Sequence, residues 1–212
     1  MTEPVAVQAE NSSQIGYLAP AASPAPLEGS ALEDFLQQVI VGTTGMDGVV
    51  VRPRWQPEPP NIPPQFDAWC AFGVVSRPSD LFPYVEEDVA DDVGTATLQR
   101  HEVLDVLCSF YDTGAAGSAD ENAALLRDGL AIAQNREALQ LAGFGLVEVG
   151  EALPVPSLLK TRWLYRVDIH FVVRRVILRT YNVLTLLTAT ATVVVDAQGP
   201  GPITETINVE DT

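Results

Sequence analysis

The spacing of hydrophobic residues predicts one long helix from Ser118 to Gly143, around which the rest of the chain is arranged. Ser118 and Glu121 have the spacing of a capping box, in which each side chain bonds the backbone amide of the other residue. Gly143 readily adopts the left-handed conformation that ends a helix. Both ends of this helix are therefore marked in the sequence.

This predicted helix carries two apolar stripes. The first consists of Leu126, Leu130, Ala133 and Leu141, and the second of Leu125, Ile132 and Leu139, at seven-residue spacing. A helix that packs only on its own sheet usually has a single stripe. We therefore predict that the second stripe contacts a neighbouring subunit, with interface residues Leu125, Ile132, Arg136 and Leu139. The alternative is a helix wedged between sheet and loop in a monomer.

Alternation of apolar and polar residues predicts two long strands. The first begins at Thr95, and its apolar face consists, apart from Glu102, of Leu104, Val106, Cys108 and Phe110. The second runs from Arg162 to Val173, with a β-bulge near Arg174-Arg175 that shifts its register. Residues 181–196 are predicted to pair with it as a hairpin.

Shorter elements complete the prediction. Ser30 and Glu33 form a second capping box, which opens a short helix that ends near Val41. Strands are predicted at residues 49–51, 67–75 and 145–150. The predicted fold class is α+β: an antiparallel β-sheet with one long helix inserted between strands, a short N-terminal helix and an extended N-terminal arm.

Composition divides the chain into three parts. Residues 1–29 form an arm rich in Ala, Pro and Ser, which we predict to be ordered by a neighbouring chain because it cannot bury enough apolar surface itself. Residues 30–196 form a single α+β domain. Residues 197–212, which follow a Gly-Pro-Gly-Pro break, form a C-terminal tail or edge strand.

The formal net charge of −16 argues against a protein that grips nucleic acid, since phosphate contacts need Lys and Arg. The charge suits a surface that repels DNA. The alternative is that the acidity serves solubility alone. No apolar run approaches the ~18–20 residues of a membrane span, and the N-terminus does not read as a secretory signal, so the protein is expected in the cytoplasm of the cell that makes it. Cys70 and Cys108 are expected to be small buried hydrophobic residues.

Residues 76–94 are predicted to form a long contact loop that carries an acidic cluster. Its members are Glu86, Glu87, Asp88, Asp91 and Asp92. They lack the alternate-position spacing of a calcium loop. A solvated acidic loop is therefore the preferred interpretation over a calcium site.

No motif predicts catalytic residues, a cofactor or a metal ion. His101 and His170 have no ligand residues at metal-binding spacing. Asp168 and His170 share a strand face, but no activated serine is evident beside them, so a cross-strand polar pair is the preferred interpretation.

The order of several local signatures resembles the tailed-bacteriophage neck (tail) terminator family over about residues 60–185. The matching stretches are Pro63-Pro64, Asp67–Gly73, Gln99–Glu102, Ser109–Tyr111, Leu126–Leu130, Gln134–Glu137, Val155–Ser157 and Arg162–Asp168. The resemblance implies a structural virion protein that caps the tail tube and joins it to the head connector.

The resemblance further implies a set of partners. These are other copies of the chain in a six-fold ring, a head-side connector or stopper protein, and the tail tube or sheath protein, with DNA only as passing cargo. Given such a ring, the acidic cluster is predicted to line or border the DNA channel, and the alternatives are an axial contact with basic groups or a surface that faces water. Two other classes stay open: another connector, tail tube or baseplate component, and an enzyme. An enzyme would show a cleft joining Asp168, His170 and a nucleophile.

Overall fold

The computed structural model describes residues 8–9, 17–21, 26–55, 68–90, 93–112, 118–155, 157–159 and 162–184. These residues fall into two compact units. The first takes its residues from Met1–Pro24, Tyr84–Gln99 and Leu178–Thr212, and the second from Ala25–Pro83 and Arg100–Ile177. The predicted boundaries after residues 29 and 196 stay predictions, because most of the arm and all of the tail lie outside the described residues.

The described residues form three helices and ten strands. The helices are α1 (Gly29–Thr44), α2 (Ser118–Ala131) and α3 (Ala133–Leu141). The strands are β1 (Gln8–Ala9), β2 (Tyr17–Leu18), β3 (Val51–Pro53), β4 (Ala68–Ser76), β5 (Tyr84–Ala90), β6 (Val93–Asp112), β7 (Phe144–Val149), β8 (Leu153–Pro154), β9 (Ser157–Leu159) and β10 (Arg162–Leu184). The predicted α+β class is confirmed.

The sheet of the second unit has the strand order β3-β4-β6-β10-β7. β4 pairs with β6 and β7 with β10 in antiparallel fashion, whereas β3 runs parallel to β4. The short strands β8 and β9 also pair antiparallel with β10. Gly48–Val50 forms a 3-10 turn that leads into β3, so the predicted strand at residues 49–51 begins two residues later than expected.

The helices share one hydrophobic core with this sheet. The buried side chains of α1 and α2 recur every three or four residues, which places them on one side of each helix, and include Leu32, Leu36, Ile40, Leu126 and Leu130. The sheet contributes large side chains that are fully buried, among them Phe72, Phe110, Ile169 and Phe171. Burial of each such side chain stabilises the fold by about 1.5–3 kcal/mol.

Helix α1 is longer than predicted, with 16 residues. It begins at Gly29, so Ser30 lies inside its first turn and the predicted capping box with Glu33 was wrong. The N-cap is Glu28, whose side chain makes no capping hydrogen bond. At the other end Gly45 has φ 73° and donates its N–H to the Val41 carbonyl at 2.8 Å, which ends the helix.

The predicted single long helix was wrong, because Ile132 separates α2 from α3 with an extended backbone (φ −75°, ψ 126°). The Ile132 N–H donates to the Gly129 carbonyl at 3.2 Å, and the Asn135 side chain donates to the same carbonyl at 2.8 Å. These donors occupy the carbonyl that would accept the N–H of residue 133 in a continuous helix. The Ser118 hydroxyl is buried without a hydrogen-bond partner, so the predicted capping box does not form there. Gly143 has φ 81°, as predicted.

The break changes which apolar residues face the core. Leu126 and Leu130 of α2 are buried as predicted. In α3 the buried residue is Leu139, from the second predicted stripe, whereas Leu141 from the first stripe is 84% exposed. One extended residue interrupts the helical repeat, so neither predicted stripe continues from α2 into α3.

The alternation in β6 and β10 is confirmed, and it extends further than predicted. In β10 the buried side chains Ile169, Phe171 and Val173 are followed at the same spacing by Arg175 and Ile177. The register shift lies between Val172 and Val173, and the unpaired extra residue, Val147, belongs to β7. The predicted bulge at residues 174–175 was therefore wrong, and Arg175 lies on the core face.

The first unit contains a hairpin of β5 and the start of β6. Their antiparallel register runs from Tyr84 opposite Gln99 to Ala90 opposite Val93. The predicted contact loop is therefore a strand from Tyr84 onward, because β6 satisfies its backbone groups. The parallel pair β1–β2 also belongs to this unit.

The end of β10 lies in the first unit and corrects a further prediction. The strand continues through Tyr181 to Leu184, so no hairpin turn precedes Tyr181. The Thr180 carbonyl accepts the Ala21 N–H at 2.6 Å. Residues 185–196, predicted as part of that hairpin, lie outside the described residues.

Candidate functional site

Two large apolar side chains project from the second unit just before β5. Leu81 and Phe82 are 91% and 90% exposed, respectively, and we call these two residues the apolar tip. The chain that leads to the tip is fixed to β6 by backbone hydrogen bonds. Val103 donates its N–H to the Pro78 carbonyl at 2.9 Å, and Asp80 donates its own to the His101 carbonyl at 3.1 Å.

A side-chain ion pair strengthens this anchor. One carboxylate oxygen of Asp80 accepts the His101 backbone N–H at 2.9 Å and lies 3.0 Å from Nδ1 of the His101 ring. These hydrogen bonds lower the pKa of Asp80 below its ordinary value of 3.8. The tip is therefore exposed, whereas the residues before it are held in place.

An open cavity of about 300 Å³ lies between α1 and α3, and we call it the α1–α3 groove. None of its lining side chains carries a charge. They include Phe35, Gln38, Val39 and Gly42 from α1, and Asn135 and Ala138 from α3. Phe35 also stacks on Phe144 with 5.3 Å between ring centroids, so that side of the groove is fixed to the protein core.

The predicted subunit-interface residues are not all available at the surface. Leu125 and Ile132 are 42% and 56% exposed, whereas Leu139 is fully buried in the core of its own chain. Arg136 is half-buried. The prediction that Leu139 contacts a neighbouring subunit was therefore wrong. Leu125, Ile132 and Arg136 stay predicted interface residues.

Three of the predicted acidic residues lie on β5. Glu86, Glu87 and Asp88 are all exposed, and Glu87 faces the opposite side of the strand from the other two. Asp91 and Asp92 lie outside the described residues. The acidic strand is thus on the surface, and its predicted place beside a DNA channel stays a prediction.

A polar network covers part of the sheet of the second unit. Arg54 donates to the Ser109 hydroxyl, which donates to Asp168. Arg166 donates to the other oxygen of Asp168 at 2.8 Å.

Both histidines are paired with aspartates. His170 faces Asp105 across the strands at 2.8 Å, and His101 faces Asp80. The predicted cross-strand polar pairing is confirmed. Of the three side chains that a hydrolytic arrangement would combine, Ser109 bonds Asp168, whereas His170 is paired with Asp105.

A buried ion cluster on the opposite face was missed by the sequence reasoning. The Arg175 side chain is 4% exposed and bonds Glu102, with Nε 2.7 Å from the carboxylate, as well as the Leu27 carbonyl. Arg175 also donates to Glu28 at 3.1 Å, and Glu28 lies 3.4 Å from Arg77. The signal was present, because Glu102 and Arg175 are the charged residues at apolar positions of the two alternating strands.

The described residues contain no group of three or more His, Cys, Asp or Glu side chains placed to hold a metal ion. None of the described helices is long and apolar enough to cross a membrane. Cys70 and Cys108 are free and buried, as predicted. Burial, with a hydrogen bond to Cys108, raises the pKa of the Cys70 thiol.

A comparison with protein families identifies the family of the chain. The family described as phage neck terminator protein matches residues 30–203, which is most of the chain. The chain belongs to the phage neck terminator family. The resemblance predicted from the local signatures is confirmed, and a comparison with curated proteins finds no match.

Membership in the neck terminator family gives a structural role in the neck or tail of the virion. Proteins with this role work by associating with other head and tail components. The apolar tip, the α1–α3 groove, the exposed part of α2 and α3, and the acidic strand are accordingly candidate assembly surfaces.

Proposed function

We propose that copies of this chain form a ring that caps the completed tail tube and joins it to the head connector around the DNA channel. The observation that supports a ring most directly is that the second unit exposes two different uncharged features, the apolar tip and the α1–α3 groove. A closed ring is built from heterologous contacts, in which one patch meets a different patch on the next copy.

The proposed partners follow from a position between head and tail. The ring contains six copies, with a head-side connector or stopper protein on one face and the tail tube or sheath on the other. DNA passes through without being held. Assembly takes place in the host cytoplasm before head and tail join.

The charge of the chain supports passage of DNA. With a net charge of −16, the proposed ring repels phosphates over about a Debye length, ~8–10 Å near physiological salt. Glu86, Glu87 and Asp88 of β5 are exposed, and we place this acidic strand at the border of the channel.

The copy number in the particle tests the ring. Mass measurement of isolated necks, or of tails with the terminator bound, is expected to give six copies of the chain. One or two copies per particle would contradict the proposal. A monomer in solution would not, because a terminator can assemble on the tail tube itself.

Two exposed residues are proposed to lie in the subunit contact: Leu125 in α2, and Ile132 at the break between α2 and α3. Leu125→Asp with Ile132→Asp is expected to prevent stable capping of tails while leaving the melting temperature of the isolated protein unchanged. Leu141→Asp is the matched control, since Leu141 is also exposed but lies outside the proposed patch. Equal assembly by both variants would exclude the patch.

Charge reversal tests the acidic strand. The triple variant Glu86→Lys, Glu87→Lys and Asp88→Lys is expected to assemble normally and to slow DNA ejection, measured as the time course of DNA release from purified particles. Failure of head and tail to join would instead indicate an axial contact. Unchanged ejection would show that the strand faces water.

The arm is proposed to bind a neighbouring subunit in the neck. Because the Ala21 N–H is bonded to Thr180, and Leu27 and Glu28 are bonded by Arg175, the deletion that tests this should end at residue 16. The shortened protein is expected to melt at the wild-type temperature and to cap tails poorly. Strong amide protection throughout residues 1–16 in the isolated monomer would contradict a partner-dependent arm.

A further inference from the structure

We infer that the apolar tip of one copy, Leu81 and Phe82, inserts into the α1–α3 groove of the next copy, an inference that rests on the proposed ring and names the contact that closes it. Both features belong to the second unit. The tip residues are 91% and 90% exposed, so they do not fill the groove of their own chain. Exposed large apolar side chains of this kind mark interaction sites.

The proposed ring places a second copy beside each chain, and charge restricts where two such copies can meet. Two chains that each carry a net charge of −16 repel each other wherever their acidic surfaces approach. The lining of the groove has no charged side chain, and the tip consists of leucine and phenylalanine. Because neither feature carries a charge of its own, a second copy can make this contact without adding to the repulsion.

The groove has room for apolar side chains. The groove has a volume of about 300 Å³, at the lower end of the range for pockets that accept apolar groups. Gly42 forms part of its wall, and a Cβ atom placed on Gly42 would meet nothing within 4 Å, so the space above this residue is open. Leucine and phenylalanine side chains can therefore enter without displacement of α1.

The tip is also preorganised for insertion. Residues 78–80 are bonded to β6 through two backbone hydrogen bonds and the Asp80–His101 pair. A segment that is already fixed loses less conformational freedom when it binds. Because the tip and the groove are different surfaces, every copy offers one of each, and successive insertions propagate until the ring closes.

Filling the groove is the first test. Gly42→Phe places a ring in the open space, and the expected result is at least a tenfold loss of chain bound per tail. Gly42→Ala is the matched control, since it adds only a methyl group at the same helical position and should bind normally. Phe82→Ser removes half of the tip at a residue that is 90% exposed, and it should reproduce the loss while the variant melts like wild type.

Cross-linking in assembled particles is the second test. Phe82→Cys combined with Ala138→Cys should give, on oxidation of capped tails, a ladder of covalent multimers in a denaturing gel. Val49→Cys with Ala138→Cys is the control and should give none, while the native cysteines are buried and free. Wild-type binding by Gly42→Phe, or six copies per tail without a ladder, would overturn the inserted tip. Only a count of one or two copies would overturn the ring itself.

Discussion

Two neighbouring residues of β6, His101 and Glu102, each form a polar side-chain pair with an oppositely placed residue, and the two pairs differ in almost every physical respect. Glu102 points into the core and meets Arg175, with side-chain exposures of 11% and 4%. His101 points to the other face and meets Asp80, with exposures of 33% and 43%. The strand thus carries a buried pair that belongs to the fold and an exposed pair that positions the apolar tip.

The difference teaches that burial, rather than the distance between charges, decides what an ion pair does. Removal of one partner from a buried pair leaves an uncompensated charge in a medium that solvates it poorly. An exposed pair is solvated by water on loss of its partner, so its energetic contribution is small. The first pair should therefore control stability, and the second should control the geometry of a surface.

The largest effect is expected from Arg175→Met, which leaves Glu102 buried without its cation. We expect a loss of about 3–5 kcal/mol in the free energy of unfolding, measured by urea denaturation. Arg174→Met is the matched control, since this neighbouring side chain is exposed and should change stability by no more than about 0.5 kcal/mol. Similar losses for both variants would show that burial is not the decisive factor.

The next largest effect is a recovery of the free energy of unfolding in a double variant. When Glu102→Leu is added to Arg175→Met, neither charge remains in the core, and most of the lost stability should return, to within about 1–2 kcal/mol of wild type. Glu28, also a partner of Arg175, is half exposed and can be solvated by water. Additive losses in the double-mutant cycle would mean that the two side chains act independently.

A smaller effect is expected from Asp80→Asn, which weakens the exposed pair but retains the shape of the side chain. The urea midpoint should stay at the wild-type value, whereas fewer copies should bind per tail because the apolar tip is held less firmly. His101→Gln should behave in the same way. A shifted midpoint with normal tail binding would reverse the roles assigned to the two pairs.

The smallest effect expected is that of low pH on the Asp80 carboxylate. Hydrogen bonds from His101 lower the pKa of Asp80 in the folded protein. The contribution of the Asp80 carboxylate to the free energy of unfolding is therefore present above the ordinary pKa of 3.8, and it is lost as the pH falls through the lower folded value. The Asp80 carboxyl titration, followed by NMR, should therefore lie below 3.8. A titration at or above the ordinary value would contradict the anchoring hydrogen bonds.

The sequence predicted the core faces of β6 and β10 because alternation depends only on the geometry of a strand. It failed where two exceptions to that alternation, Glu102 and Arg175, needed to be combined. Taken alone, Glu102 is only an exception on the apolar face of its strand, and the predicted bulge near Arg174-Arg175 places Arg175 off the core face. A pair of opposite charges at apolar positions of two strands is the signal that would have joined them.

The break at Ile132 was harder to predict, because it depends on contacts that local spacing does not contain. A Cβ atom on Gly129 would lie 2.9 Å from Cβ of Thr43, so glycine is required there for α1 to approach α2 closely. The Gly129 carbonyl is then shared by Ile132 and Asn135. The candidate assembly surfaces were predicted only in part for the same reason, since the α1–α3 groove exists only after the helices have packed.

The bond between Arg175 and Glu28 joins residues that are 147 positions apart in the chain. Contacts of such long sequence separation slow folding, because the entropy of loop closure must be overcome before the contact is gained. Helix α1 leaves the ribosome long before β10 exists, and its apolar side stays without its final neighbours until synthesis is nearly complete. The core against which α1 packs is therefore completed late, because Ile169, Phe171 and Val173 of β10 are among the last of its residues to be made.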